Sequence, residues 1–218
     1  MNRKKTYKEL NPEKALIFRI THINNMAWIF KNGLHCRNSR TQDPDFTRIG
    51  LPDLIERRRT RALPDRPGET LADYIPFYCT PFSIMGYKIR TGHEPAKVPN
   101  KDIVILVASL HKLADSGTFF IFSDSHAVLK TAQFFTALKD LDKIDWDILQ
   151  RKDFRRDEDD PGKKERYQAE ALVHRHLPVD RLKGIVCQGA AQKERLEQER
   201  GAANLNSPVK AAQGWYFP

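Results

Sequence analysis

The chain has 218 residues, 40% hydrophobic and 30% charged, with 37 Lys and Arg against 28 Asp and Glu for a formal charge of +9. That is enough apolar material for one generous core, so a single domain over residues 1–218 is expected. The excess of cations argues against an acidic, self-solvating chain and points to a polyanionic partner, because clustered Lys and Arg gain most from phosphate.

Cys36, Cys79 and Cys187 are scattered, with no Cys-x-x-Cys pair and no zinc spacing to histidine, so they read as reduced thiols and no metal site is expected. The polar start, Met1 to Thr6, lacks the apolar stretch of a signal peptide, and no apolar run approaches the ~18 residues of a membrane span. The expectation is a soluble, cytoplasmic protein with no membrane partner.

In chain order, residues 15–21 (ALIFRIT) alternate as a strand, and residues 23–31 read as a short helix closed by Asn32-Gly33. Thr21 and His22 thus fall at a strand end, where polar groups either touch a ligand or simply cap the helix. Residues 34–50 are rich in loop formers, and so long a loop in a compact domain is often functional. Residues 52–61 (PDLIERRRTR) begin with proline and read as a short helix crowding Arg57, Arg58, Arg59 and Arg61 together. These guanidiniums repel one another; they face phosphate or form a solvated basic face.

Residues 71–88 hold Tyr74, Phe77, Tyr78, Phe82 and Tyr87, while Pro76 and Pro81 restrict the segment to extended or edge-strand backbone. Its aromatics either clamp a flat heterocycle or pack in the core. Residues 102–109 (DIVILVAS) form a doubly buried central strand, and residues 118–122 another strand. Ser123-Asp124 then suggests an N-cap for a helix running to about Leu141, with Val128, Ala132, Phe135, Leu138 and Leu141 on one stripe and His126 in the first turn. Residues 151–168 form a charged loop with the acidic run Asp157-Glu158-Asp159-Asp160, and Ala171, Leu172 and Val173 read as the buried strand that follows. Glu170 sits at its mouth, either as a salt-bridged surface glutamate or as a carboxylate whose field low dielectric strengthens. A strand over residues 182–187, a polar helix over 192–200 with only Leu196 to bury, and a last edge strand over 214–217 complete the reading. There is no Gly-x-Gly-x-x-Gly, P-loop or Gly-x-Ser-x-Gly.

Five blocks in this order, THINN at 21–25, the arginines at 57–61, DYIPFYCTP at 73–81, FSDSHAV at 122–128 and YQAEALV at 167–173, resemble the DarT-type DNA ADP-ribosyltransferases, toxins of bacterial toxin–antitoxin systems. The resemblance runs from residue 16 to 186 and implies an α+β ADP-ribosyltransferase fold, whose split, curved mixed sheet flanked by helices forms a cleft for NAD. It implies transfer of ADP-ribose from NAD, as a substrate, to a base in single-stranded DNA with loss of nicotinamide. Thymidine is the first choice of base, from the YIPFYCTP and YQAEALV blocks, with guanosine as the main alternative. Glu170 matches the catalytic glutamate, Arg59 the essential arginine with Arg58 beside it, and residues 151–168 the substrate-recognition loop.

The resemblance further implies cofactor contacts from Arg19, Thr21, His22, Asn25, Phe77, Tyr78, Tyr87 and His126, and DNA contacts from Arg58, Arg61, Arg155, Arg166 and Tyr167. Arg19 departs from the pattern, since some members carry histidine there; facing the cleft, it would meet a phosphate, and facing out, it would leave the adenosine side of the site differently built. The implied partner is a macrodomain antitoxin of the DarG type that removes ADP-ribose from DNA. Two further readings stand beside this one: the same chemistry on RNA or protein, and a catalytically silent nucleic-acid-binding module, against which the intact Glu170 argues.

Overall fold

The first strand, β1 (Leu16–His22), buries Ile17 and Thr21 on one face and Phe18 on the other. The computed structural model describes residues 7–92 and 97–218, so the expectation drawn from residues 1–6 lies outside the described residues. After β1 a 3-10 turn (Ile23–Asn25) leads into α1 (Met26–Asn32), closed by Gly33 at φ 76°, and the two-residue β2 (Leu34–His35). A loop over residues 36–51 precedes α2 (Pro52–Thr60), the small hairpin β3 (Ala62–Leu63) and β4 (Arg66–Thr70), β5 (Tyr74–Tyr78) and α3 (Ile84–Thr91). Then come β6 (Ile103–Ser109), α4 (Leu110–Asp115), β7 (Phe120–Ser123), β8 (Phe134–Phe135), α5 (Trp146–Arg151) and α6 (Lys163–Arg166). The chain ends with β9 (Glu170–His174), β10 (His176–Leu177), β11 (Gly184–Cys187), α7 (Ala190–Ala202) and β12 (Val209–Ala211).

Eight strands form one sheet in the order β12-β11-β6-β1-β5-β9-β7-β8. It is mixed, because β11 and β12 run parallel while the other neighbours are antiparallel. Every residue of β6 is buried, as its unbroken apolar run requires. The sheet divides into two halves between β1 and β5, whose ladder is a single pair, Phe18 with Tyr78, against seven pairs between β1 and β6. Pro76 therefore stands in an internal strand rather than at an edge. It lies where β1 and β5 have parted, and its carbonyl accepts a hydrogen bond from Arg19 Nη1 at 2.9 Å. The three cysteines are free and buried.

Three expectations are corrected. Residues 124–133 are a turn-rich segment followed by β8, not a helix to Leu141. The reason lies in Ser123 and Asp124, whose side chains bind backbone and outcompete a helical ladder: Ser123 Oγ donates to Ser125 O at 2.7 Å, and Asp124 Oδ1 accepts from Gln133 N at 3.1 Å and from Ser125 Oγ at 2.8 Å. Within residues 71–88, extended backbone gives way to α3, because Ser83, two residues past Pro81, caps a helix by accepting from Gly86 N at 3.1 Å. Residues 214–217 add no strand. Tyr216 turns inward to donate to the carbonyls of Ile103 and Val186, both at 3.0 Å, and β12 takes the edge.

Candidate active site

Glu170 opens β9 at the floor of a cavity of about 730 Å³, and is only 3% exposed. It is fixed from four directions. Its N–H donates to Ser123 Oγ at 3.2 Å, its Oε1 accepts from Ala127 N at 3.2 Å and lies 2.9 Å from His126 Nδ1, and its Oε2 accepts from Arg58 Nη1 at 2.7 Å. A carboxylate can only accept, so the contact places a proton on His126 Nδ1. Burial opposes ionisation, but Arg58 and His126 outweigh it and bring the Glu170 carboxyl down to about 2.

Tyr78 stands directly across the β5–β9 ladder from Glu170 and lines the same cavity. Burial, reinforced by the Glu170 charge, pushes its phenol up to about 12. Arg19 and Thr21 border both this cavity and a second one of about 400 Å³. Burial, with Arg58 adding repulsion and Tyr78 partly offsetting it, pulls Arg19 down to about 10. Arg19 Nε and Arg58 Nη2 are buried N–H groups that find no acceptor among the described residues. Such donors suit anionic oxygen, and the two cavities, which share Arg19, Thr21 and Arg58 as lining, have room for a dinucleotide, so the residues present fit NAD.

Glu170, Arg58, His126, Arg19, Thr21 and Tyr78 are thus brought together, while the other nominated residues are spent elsewhere. Arg59 is 58% exposed and pairs with Glu56 at 3.2 Å, because the helical step from Arg58 turns it away from the cavity that Arg58 lines. Arg61 Nη2 donates to Leu129 O at 3.0 Å. Arg155 pairs with Asp153, and Arg166 bridges Asp145 and Asp160. Tyr167 borders the cavity but is buried, with its hydroxyl donating to Phe82 O at 3.0 Å. Phe77 is fully buried in the core. Tyr87, 42% exposed, packs on Phe154 and Phe217. His22 caps the turn after β1, its Nδ1 accepting from Asn24 N at 3.1 Å.

Asn25 is 1% exposed and its amide is fully used: Nδ2 donates to Thr21 Oγ1 and Thr47 O, both at 3.0 Å, and Oδ1 accepts from Thr47 N at 2.8 Å. The amide latches the 36–51 loop across the end of β1, so that Phe46 and Arg48, the neighbours of Thr47, border both cavities. Sequence reasoning nominated neither; the length of that loop was the available signal. Ser123, expected as a helix cap, instead holds the Glu170 N–H, and the run Ser123-Asp124-Ser125 favours a side-chain-bonded turn. The 151–168 segment is held by charge: Lys163 pairs with Asp153 and Asp157, which with the Arg166 bridge folds the acidic run back on itself.

The family profile described as "ssDNA thymidine ADP-ribosyltransferase, DarT" matches residues 18–217. A DNA ADP-ribosyl transferase of Escherichia coli O127:H6 is 49% identical over 209 residues, covering 95% of this chain and 96% of that protein. One from Thermus sp. (strain 2.9) is 35% identical over 175 residues, 80% of each chain. Among solved structures, Thermus sp. 2.9 DarT in complex with ADP-ribosylated ssDNA superposes with a TM-score of 0.86 at 30% identity, covering 99% of this chain and 100% of that one. The same protein in complex with NAD+ gives 0.79 at 29% identity, covering 94% and 99%. The chain belongs to the DarT family of single-stranded DNA thymidine ADP-ribosyltransferases.

Proposed function

We propose that Glu170, Arg58 and His126 carry the transfer of ADP-ribose from NAD to thymidine in single-stranded DNA. The observation that supports this most directly is one buried, ionised carboxylate held by a guanidinium, an imidazole and a backbone N–H at the floor of a cleft. In the transfer, the bond between the ribose C1′ and the nicotinamide nitrogen breaks, nicotinamide leaves with the bonding pair, and the base attaches to C1′ and gives up a proton. Positive charge develops on the ribose, and Glu170 stabilises it in a site where low dielectric strengthens the field. Arg58 keeps Glu170 ionised and offers Nη2 to substrate oxygen. A guanidinium holds its proton too firmly to serve as the base, so the His126 ring, anchored to Glu170 through Nδ1 and bordering the cavity, is the group placed to take the proton.

Arg19 and Arg48 serve the NAD phosphates. The protein acts in the cytoplasm, where its DNA substrate lies. Its biological partner is a macrodomain antitoxin, a reading that rests on family membership alone. The test is mass spectrometry of a thymidine-containing single-stranded oligonucleotide after incubation with NAD. One added ADP-ribose on a thymidine is expected, and label confined to RNA or protein would overturn the reading.

A further inference from the structure

We propose that Arg57, Lys88 and Lys164 form a phosphate track that carries the DNA strand across the mouth of the cleft. The inference rests on single-stranded DNA being the substrate and adds where the strand lies. Arg57 comes from α2, Lys88 from α3 and Lys164 from α6, and all three border the cavity that holds Glu170. All three are exposed, and their side chains make no ion pair or hydrogen bond among the described residues.

This unspent charge separates them from the basic residues that are prominent in the sequence. Arg59, Arg155 and Arg166 are each held by carboxylates, and Arg61 by a carbonyl. A cation already matched by a carboxylate gains little from a phosphate, whereas an unmatched one contributes its full share of electrostatic attraction and counterion release.

Helix α6 shows the selection at work. Lys163 and Arg166 lie three residues apart on one face and bind the acids of the recognition loop, while Lys164 between them borders the cavity. The acids in the cavity wall are Asp53, Glu165 and Glu170, and the last is already paired with Arg58. Arg48 borders the second cavity as well, so its charge also serves the NAD side and it is left out of the track.

The experiment measures KM for a thymidine-containing single-stranded oligonucleotide across a salt series, with the full chain and with Arg57→Ala, Lys88→Ala and Lys164→Ala. Each variant is expected to raise the oligonucleotide KM severalfold at low salt and to flatten the plot of log affinity against log salt by about 0.7 per lost contact. KM for NAD stays at the wild-type value. Arg155→Ala, whose charge is already paired, leaves the salt slope unchanged. Unaltered slopes in the three variants, or a rise in KM for NAD in place of DNA, would overturn the track. A wild-type protein that labels RNA or protein in preference to DNA would instead overturn the substrate reading beneath it.

Discussion

Arg58 Nη1 lies 2.7 Å from Glu170 Oε2, with the two side chains 12% and 4% exposed. Removing one partner of so withdrawn a pair strands the other charge. Arg58→Ala is therefore expected to cost about 3–5 kcal/mol of stability, read as the shift in a urea denaturation midpoint, and to remove DNA labelling. Arg59→Ala, which loses only an exposed pair with Glu56, should stay within about 0.5 kcal/mol of wild type and keep labelling DNA. The opposite ranking would return the essential role to Arg59.

Glu170→Gln retains the shape of the side chain but removes its charge. Loss of a preorganised electrostatic contact to the transition state typically lowers kcat by about 10²–10³-fold, and a loss of at least that size is expected in transfer of label from NAD to an oligonucleotide. Labelling at the wild-type rate would remove the mechanism.

The same carboxylate sets an acid limit. Its folded-state pKa, about 2, lies below the ordinary value of 4.5, so its ionisation supports the fold fully above pH 4.5. That contribution is lost as pH falls from 4.5 through about 2. Acid unfolding followed by circular dichroism should be less steep in Glu170→Gln over that window, and any loss of wild-type activity between about pH 5 and 7 belongs to another group. Identical acid titrations of the two proteins would contradict this.

Asn25→Ala releases the 36–51 loop from the end of β1. Each lost hydrogen bond of this kind is worth about 1 kcal/mol, or roughly fivefold in an equilibrium constant, so KM for NAD is expected to rise about tenfold or more while the chain stays folded. The expected signature is a KM effect exceeding the kcat effect. An Asn25→Ala enzyme with unchanged KM for NAD would show that the latch does not position the loop.

Asp145→Asn weakens the bridge through Arg166 that folds the 151–168 segment, which the resemblance matches to substrate recognition. The expected outcome is a raised KM for the oligonucleotide with KM for NAD unchanged. Equal effects on both would mean that the bridge supports the whole cleft and not the loop alone.

Period-two alternation and unbroken apolar runs made β1, β6 and β9 legible in the sequence, and proline followed by good helix formers marked α2. The turn around His126 was not, because Val128, Ala132 and Phe135 fall at helical spacing while the deciding hydrogen bonds come from Ser123 and Asp124. Likewise, a crowd of arginines identifies a cationic helix, but only rotation about its axis decides which of them reaches Glu170. The loop latch escaped notice because Asn25 and Thr47 are distant in sequence and their contact uses backbone groups that no motif records.

Pro76 gives the cleft a safeguard. A residue with an N–H there would offer β1 a donor beside the carbonyl that already accepts from Arg19, and the two strands could zip together past Phe18 and Tyr78. Proline denies them that next rung. The parting of β1 and β5 is thus protected by a missing hydrogen, with the Arg19 guanidinium taking up the carbonyl that a zipped ladder would have used.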